Sequence, residues 1–142
     1  MSQKVVGMIL SLPNKMIDRM LHGRTVYTAR SSEKSTQLSA GDRVYFYDTD
    51  RTGLLTAEAK IAKLAFKTPD QVLEYGRSLF ISQREFGEYL ASAKGGTNDF
   101  LLVLELEEVT EYSRPVKCPF EVTVPGMYLT DEVAGEILRA NR

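Results

Sequence analysis

The spacing of apolar residues switches between two and three-or-four along the chain, which predicts strands interleaved with short helices. Val5 to Leu12 reads as a first, largely buried strand. Pro13 suits the opening turn of a helix, where its missing N–H costs nothing. Met16, Ile17, Met20 and Leu21 then share one helical face, and Gly23 supplies the left-handed residue that ends such a helix. Thr25 to Ala29 is rich in β-formers, and Ser31 to Thr36 is a polar loop.

Gly41-Asp42 marks a turn into a strand over Arg43 to Thr49, and Asp48 to Gly53 marks another. Beyond it Leu55, Ala57, Ala59 and Ile61 alternate with Thr56, Glu58, Lys60 and Ala62, so 43–64 forms a hairpin with one half-buried face. Thr68-Pro69 with Gln71 starts a helix that carries Val72, Leu73 and Leu79. Ser82 with Glu85 is a capping box for a second, with Phe86, Tyr89, Leu90 and Ala93 on one face and Gly95-Gly96 as its stop. Phe100 to Tyr112 is the longest strand, and Pro115, Pro119 and Pro125 punctuate an extended region with space for one or two more. Thr130-Asp131-Glu132 caps a final helix that buries Val133, Ile137 and Leu138, its acids placed at the positive helix end. The predicted order is β-α-β-β-β-α-α-β-(β)-α. It implies a small curled sheet or open barrel of mixed, mostly antiparallel strands with flanking helices, an α/β (α+β) architecture.

A chain of 142 residues without repeats or a linker is expected to be a single domain, 1–142. Its apolar runs are too short to cross a bilayer, and no secretory leader opens it, so a cytoplasmic location and no membrane partner are expected. One cysteine, Cys118, and one histidine, His22, leave no material for a disulfide or a His/Cys metal centre; no metal and no cofactor are expected. Phosphate-loop, dinucleotide-binding and nucleophile-elbow motifs are all missing. Cys118 reads as structural, and His22 as a partner of a helix C-terminus. Net charge is −1, yet residues 1–70 hold 11 Lys+Arg against 7 Asp+Glu, and 71–142 hold 7 against 12. Such a division can focus a polyanion onto one face, or it can reflect only scattered solvated charge.

The chemistry concentrates in His22 to Arg30, where Arg24 and Arg30 stand among Thr25, Tyr27 and Thr28 beside the first helix end. Guanidinium groups pair with phosphate or a base edge, hydroxyls orient, and a tyrosine offers a stacking face. Tyr45, Phe46 and Tyr47 lie on a neighbouring strand, where burial in the core competes with a binding role.

Gly23-Arg24-Thr25, with Arg30 seven positions after the glycine, resembles the Gly-x-Lys-x-x-x-x-Arg signature of ASCH domains in the PUA-like superfamily. Leu38 with Gly41-Asp42-Arg43-Val44-Tyr45-Phe46-Tyr47 is similar to the Gly-Asp and aromatic strand of ASCH and EVE domains. Ser82 to Tyr89, Leu102 to Leu106 and Tyr112 to Val116 resemble later segments of the same group, in the same order. Length and wording look closest to an uncharacterised archaeal branch, domain of unknown function 365.

That resemblance implies a PUA-like open barrel with a cleft beside the first helix, where relatives bind RNA or modified bases. On that reading Arg24 and Arg30 grip phosphate or a base edge, Thr25 and Thr28 add hydrogen bonds, and Tyr27 or Tyr45 stacks. One ASCH branch instead hydrolyses an acetylated cytosine nucleoside with a lysine, a threonine and a glutamate. Its lysine position falls on Thr25 and its threonine on Thr28, so the hydroxyl is kept and the amine is lost. An amidohydrolase with Thr28 as the catalytic candidate is thus the alternative, with Lys34 or Lys60 and Glu58 or Glu74 as possible helpers; the missing lysine weighs against an enzyme. With no tryptophan, a base cage of the EVE kind would need Tyr27, Tyr45 or Tyr47. A third reading, a protein-interaction domain, rests on Glu105, Glu107, Glu108 and Glu111, which otherwise form a solvated face or a guarded sheet edge.

Overall fold

The computed structural model describes residues 4–30, 36–51, 53–91, 100–122 and 126–140. Six strands form one sheet: β1 (Val5–Leu12), β2 (Val26–Arg30), β3 (Arg43–Asp48), β4 (Leu54–Lys67), β5 (Leu101–Lys117) and β6 (Gly126–Thr130), in the spatial order β2-β5-β4-β3-β1-β6. Only β1 and β3 are parallel; every other neighbouring pair is antiparallel. A parallel pair needs a crossover, and α1 (Asn14–Leu21) with β2 lies in the chain between them. α2 (Pro69–Leu73), a 3₁₀ turn at Gly76–Ser78 and α3 (Gln83–Ala91) join β4 to β5, and α4 (Asp131–Ala140) follows β6. The expected mixed, curled half-barrel with flanking helices is what the chain forms.

The capping signals hold where described, but Leu138, expected inside, is 69% exposed, and the helix begun at Thr68 ends at Leu73, leaving Leu79 after the 3₁₀ turn. Ser82 and Glu85 exchange both capping-box hydrogen bonds, as do Thr68 and Gln71. Gly23 has φ +107°, the left-handed conformation that ends α1. The Thr130 side chain accepts from the Val133 N–H at the start of α4. The Gly95-Gly96 stop and Pro125 lie outside the described residues.

Two cores straddle the sheet. Val44 and Phe46 of β3 point into the larger one, with Met20, Ile61, Leu79, Phe86 and Leu104. Tyr45 and Tyr47 point the other way, toward Ile9, Leu55, Leu129 and Ile137. Leu55 was expected to share a face with Ala57, but the ladder to β5 jumps from Leu55↔Val116 to Ala57↔Glu111, and this irregularity sends Leu55 to the second core. The same break explains how β5 carries Pro115: the proline sits where ladder bonds are already interrupted. β5 therefore runs to Lys117, five residues beyond the strand expected from sequence.

The charge division is compensated in part within the sheet. β4 and β5 are neighbours, with Lys60 opposite Glu107 and Lys63 opposite Glu105, and Lys60 Nζ lies 3.4 Å from Glu108. Basic residues of β4 and acidic residues of β5 thus compensate one another across this strand pair. β2 pairs with β5 only over Leu101 to Glu105, so Glu107, Glu108 and Glu111 lie on a stretch of β5 paired to β4 alone, where they can guard an open edge.

Candidate functional site

A hollow of about 700 Å³ opens between the first helix and α3. Its size lies within the range of about 300–1,000 Å³ usual for small-molecule sites. β1 and α1 contribute Leu12 and Met16, β2 contributes Tyr27, Thr28 and Ala29, the segment before α3 contributes Phe80 and Ile81, and α3 contributes Glu85, Glu88 and Tyr89. Most of this lining is apolar or aromatic, and no Lys or Arg is part of it.

Each wall is held by a specific contact. Asn14 at the start of α1 donates its backbone N–H to the Asp50 carboxylate at 2.8 Å, and its amide reaches buried Asp48 at 3.1 Å. The turn after β3 therefore caps α1 in place of a side chain from Pro13. β2 is fixed on one side by its ladder to β5 and on the other by the Phe80 N–H, which donates to the Val26 carbonyl at 2.9 Å. That bond brings Phe80 beside Tyr27, with ring centroids 4.8 Å apart. α1 and α3 are tied by Arg19, whose guanidinium donates to Glu85 at 2.8 Å.

Glu85 thus holds three things together: the Ser82 N–H, the Arg19 guanidinium and the mouth of the hollow. The Ser82 backbone N–H, chiefly, and Arg19 hold its carboxyl below the ordinary carboxylate value. A carboxyl depressed in the folded state stabilises above its unfolded pKa and loses that contribution as pH falls through the folded pKa. The urea midpoint of the native chain should therefore fall more steeply on acidification below pH about 4.5 than that of Glu85→Gln, and the two curves should converge at the acid end. Parallel curves would show that the carboxylate contributes nothing.

The expected cluster is only partly assembled. Tyr27 and Thr28 line the hollow; Arg24, Thr25 and Tyr45 do not. Arg24 donates to the Leu79 carbonyl at 3.2 Å and lines a second, smaller hollow of about 260 Å³. Thr25 gives its backbone carbonyl to the Leu106 N–H, extending the β2–β5 pairing. Tyr45 lies on the opposite face of the sheet, because alternation along β3 sends Phe46 to the main core and its neighbours outward. Arg30 ends β2 opposite Leu101, and its side chain lies outside the described residues. Tyr47 is also on the far face, donating no cage wall and accepting from the Gly53 N–H at 2.8 Å.

The hydroxyls are binding groups in character. Burial and the nearby Tyr89 push the Tyr27 phenol far above its ordinary pKa, so it stays protonated. The Thr28 hydroxyl is buried and donates to the Leu102 carbonyl at 3.1 Å. A nucleophile needs a base that takes that proton, and a carbonyl is none. The helpers considered from sequence are elsewhere: Glu58 meets Arg43 and Tyr112 on the far face, Lys60 faces Glu108, Glu74 follows α2 away from the lining, and Lys34 lies outside the described residues. Glu85, Glu88, Tyr89, Phe80 and Ile81 were not singled out as site residues. Glu85, Glu88 and Tyr89 recur at spacings of three and four, so they share a face of α3, and that periodicity was the available signal.

His22 is exposed beside Asp18 at the end of α1, away from the lining. Burial raises the Cys118 thiol pKa, and its sulfur contacts the Phe120 carbonyl, as an inert structural thiol would. Among the described residues no group of three or more His, Cys, Asp or Glu is placed to hold a metal ion, and no helix is long and apolar enough to cross a membrane.

Solved structures share this architecture. The ASCH protein of Zymomonas mobilis superposes with TM-score 0.74 at 15% identity, covering 99% of this chain and 98% of that one. A serine-to-alanine mutant of the same protein gives TM-score 0.77 at 14% identity, over 99% of this chain and 100% of that one. The N-terminal domain of Staphylothermus marinus McrB is a more distant likeness, TM-score 0.51 at 11% identity, over 80% of this chain and 77% of that one. No curated protein matches. With the fold that of PUA-like ASCH domains and the match to the family running over residues 5–131, this chain belongs to the family described as Domain of unknown function (DUF365).

Proposed function

We propose that this protein is a binding module for a nucleobase, presented on RNA or as a modified nucleoside, and that the base enters the hollow between α1 and α3. The observation that carries this reading is the lining itself: Tyr27, Phe80 and Tyr89 offer aromatic surface, and Glu85 and Glu88 stand among them as acceptors. A flat heteroaromatic ring satisfies such a lining, since its faces pack on the aromatics while its edge N–H groups meet carboxylates. No Lys or Arg lines this hollow, and its two carboxylates are paired with Arg19 and Arg84, so nothing in it attracts a phosphate and the base rather than the backbone is the group it takes. Bases that carry an exocyclic amino group fit the acidic rim better than uracil does.

Calorimetric titration with adenosine, cytidine, guanosine, uridine and N4-acetylcytidine tests this. Amino-bearing or modified nucleosides should bind, with affinity nearly constant across salt, because no cation lines the hollow. Tyr89→Ala should weaken binding by about tenfold or more, the usual worth of one base–aromatic contact. If no nucleoside binds, or binding survives Tyr89→Ala unchanged, the reading is wrong. Hydrolysis of an acylated nucleoside is the less favoured reading, because the Thr28 proton is committed to the Leu102 carbonyl.

A further inference from the structure

The second hollow, of about 260 Å³, is chemically unlike the first: Arg24, Arg77, Ser82 and Gln83 contribute its polar lining. Arg77 lies within the 3₁₀ turn, and Arg24 follows α1, so residues 53 positions apart in sequence bring two arginines to one depression. The other cations of this region are neutralised. Arg19 is held by Glu85, and Arg84 by Glu88. Among the described residues neither Arg24 nor Arg77 has a carboxylate within ion-pair distance, and no Asp or Glu lines the hollow. Arg24 spends one N–H on the Leu79 carbonyl, which fixes its head and leaves further donors of the fork unspent. Two like charges facing one hollow repel unless an anion sits between them. Ser82 and Gln83 add neutral donors that suit the remaining oxygens of an oxyanion.

The two hollows share a wall. Leu79, Ser82 and Gln83 line the cationic one, and Phe80 and Ile81, between them in sequence, line the aromatic one. On the β2 side Arg24 lines the cationic hollow and Tyr27 the aromatic one.

We infer that Arg24 and Arg77, with Ser82 and Gln83, form a phosphate site that takes the phosphate of the nucleotide whose base fills the neighbouring hollow. This rests on the base-binding reading above and sharpens it: the ligand is a phosphorylated nucleoside or a nucleotide within a chain, not a bare base. Charges are thereby sorted, with carboxylates where the base edge enters and guanidinium groups where the phosphate lies.

Titration of the full chain with cytidine and adenosine, their 3′- and 5′-monophosphates, and inorganic phosphate tests the inference. At low salt one monophosphate series should bind about tenfold tighter than its nucleoside, the gain expected of charge-assisted hydrogen bonds, and salt should erase that difference. Arg77→Gln and Arg24→Gln should each remove most of the difference; both changes keep a polar side chain at the surface, and unchanged thermal midpoints would show the fold intact. Inorganic phosphate at millimolar concentration should also reduce the advantage if the shared chemistry is an oxyanion site. Nucleosides that bind as tightly as both monophosphates would overturn the phosphate site while leaving the base reading intact. Phosphate binding that needs both arginines, without any nucleoside binding, would keep the anion site and overturn its link to a base. Phosphate affinity untouched by either arginine variant would overturn the site itself.

Discussion

Phe86→Ala should destabilise the protein by about 3–5 kcal/mol and should also weaken ligand binding at temperatures where the chain is still folded. Phe86 is fully buried in α3, and its ring packs with the main core and, at 6.4 Å between centroids, stacks with Tyr89. Truncation leaves a cavity under the helix that carries Glu85, Glu88 and Tyr89, three of the residues that line the aromatic hollow. Stability and site geometry are therefore coupled at this position. Urea unfolding gives the first quantity, and nucleoside titration well below the melting midpoint gives the second. A large loss of stability with undiminished affinity would show that α3 keeps its place by the Arg19–Glu85 tie and the capping box alone.

Leu129→Ala should cost a similar amount, about 2–5 kcal/mol, and leave the aromatic hollow unaffected. Leu129 of β6 is buried in the second core with Ile9, Leu55 and Ile137, on the far side of the sheet. Its loss loosens β6 and α4 without removing any residue that lines the aromatic hollow. The pair of variants separates the two cores: one is expected to change midpoint and affinity together, the other midpoint only. Equal effects on affinity would mean that the sheet transmits the change from one face to the other.

The element order was legible because each local signal is self-contained. The Ser82/Glu85 and Thr68/Gln71 boxes satisfy orphan backbone groups within four residues, and Gly23 relieves a strain no other residue type avoids so cheaply. β5 was harder to read, because Pro115 ordinarily ends a strand. It is tolerated only where the register to β4 is already broken, and register is a property of two strands. The face assignment of Leu55 failed for the same reason.

The site was legible in part. Tyr27 and Thr28 could be singled out because hydroxyl-bearing residues cluster beside a helix end. Arg24 was expected at the same place and serves its neighbour, since its head is drawn to the Leu79 carbonyl, a group 55 positions away. Arg77 carried no sequence signal, standing alone in a turn. The charge contrast between the halves of the chain is reduced where β4 and β5 lie side by side, a pairing that no count along the sequence contains.

By itself, then, the chain dictated most of its strands and helices and their caps, which follow from periodicity and short-range hydrogen bonding, while the PUA-like class was legible through the resemblance of its ordered motifs to ASCH domains. Tertiary structure alone decided which polar groups share a hollow, which arginines find a carboxylate and which tyrosines face the core. Those outcomes depend on contacts between residues tens of positions apart, and their energies are set by burial and pairing that no local window contains.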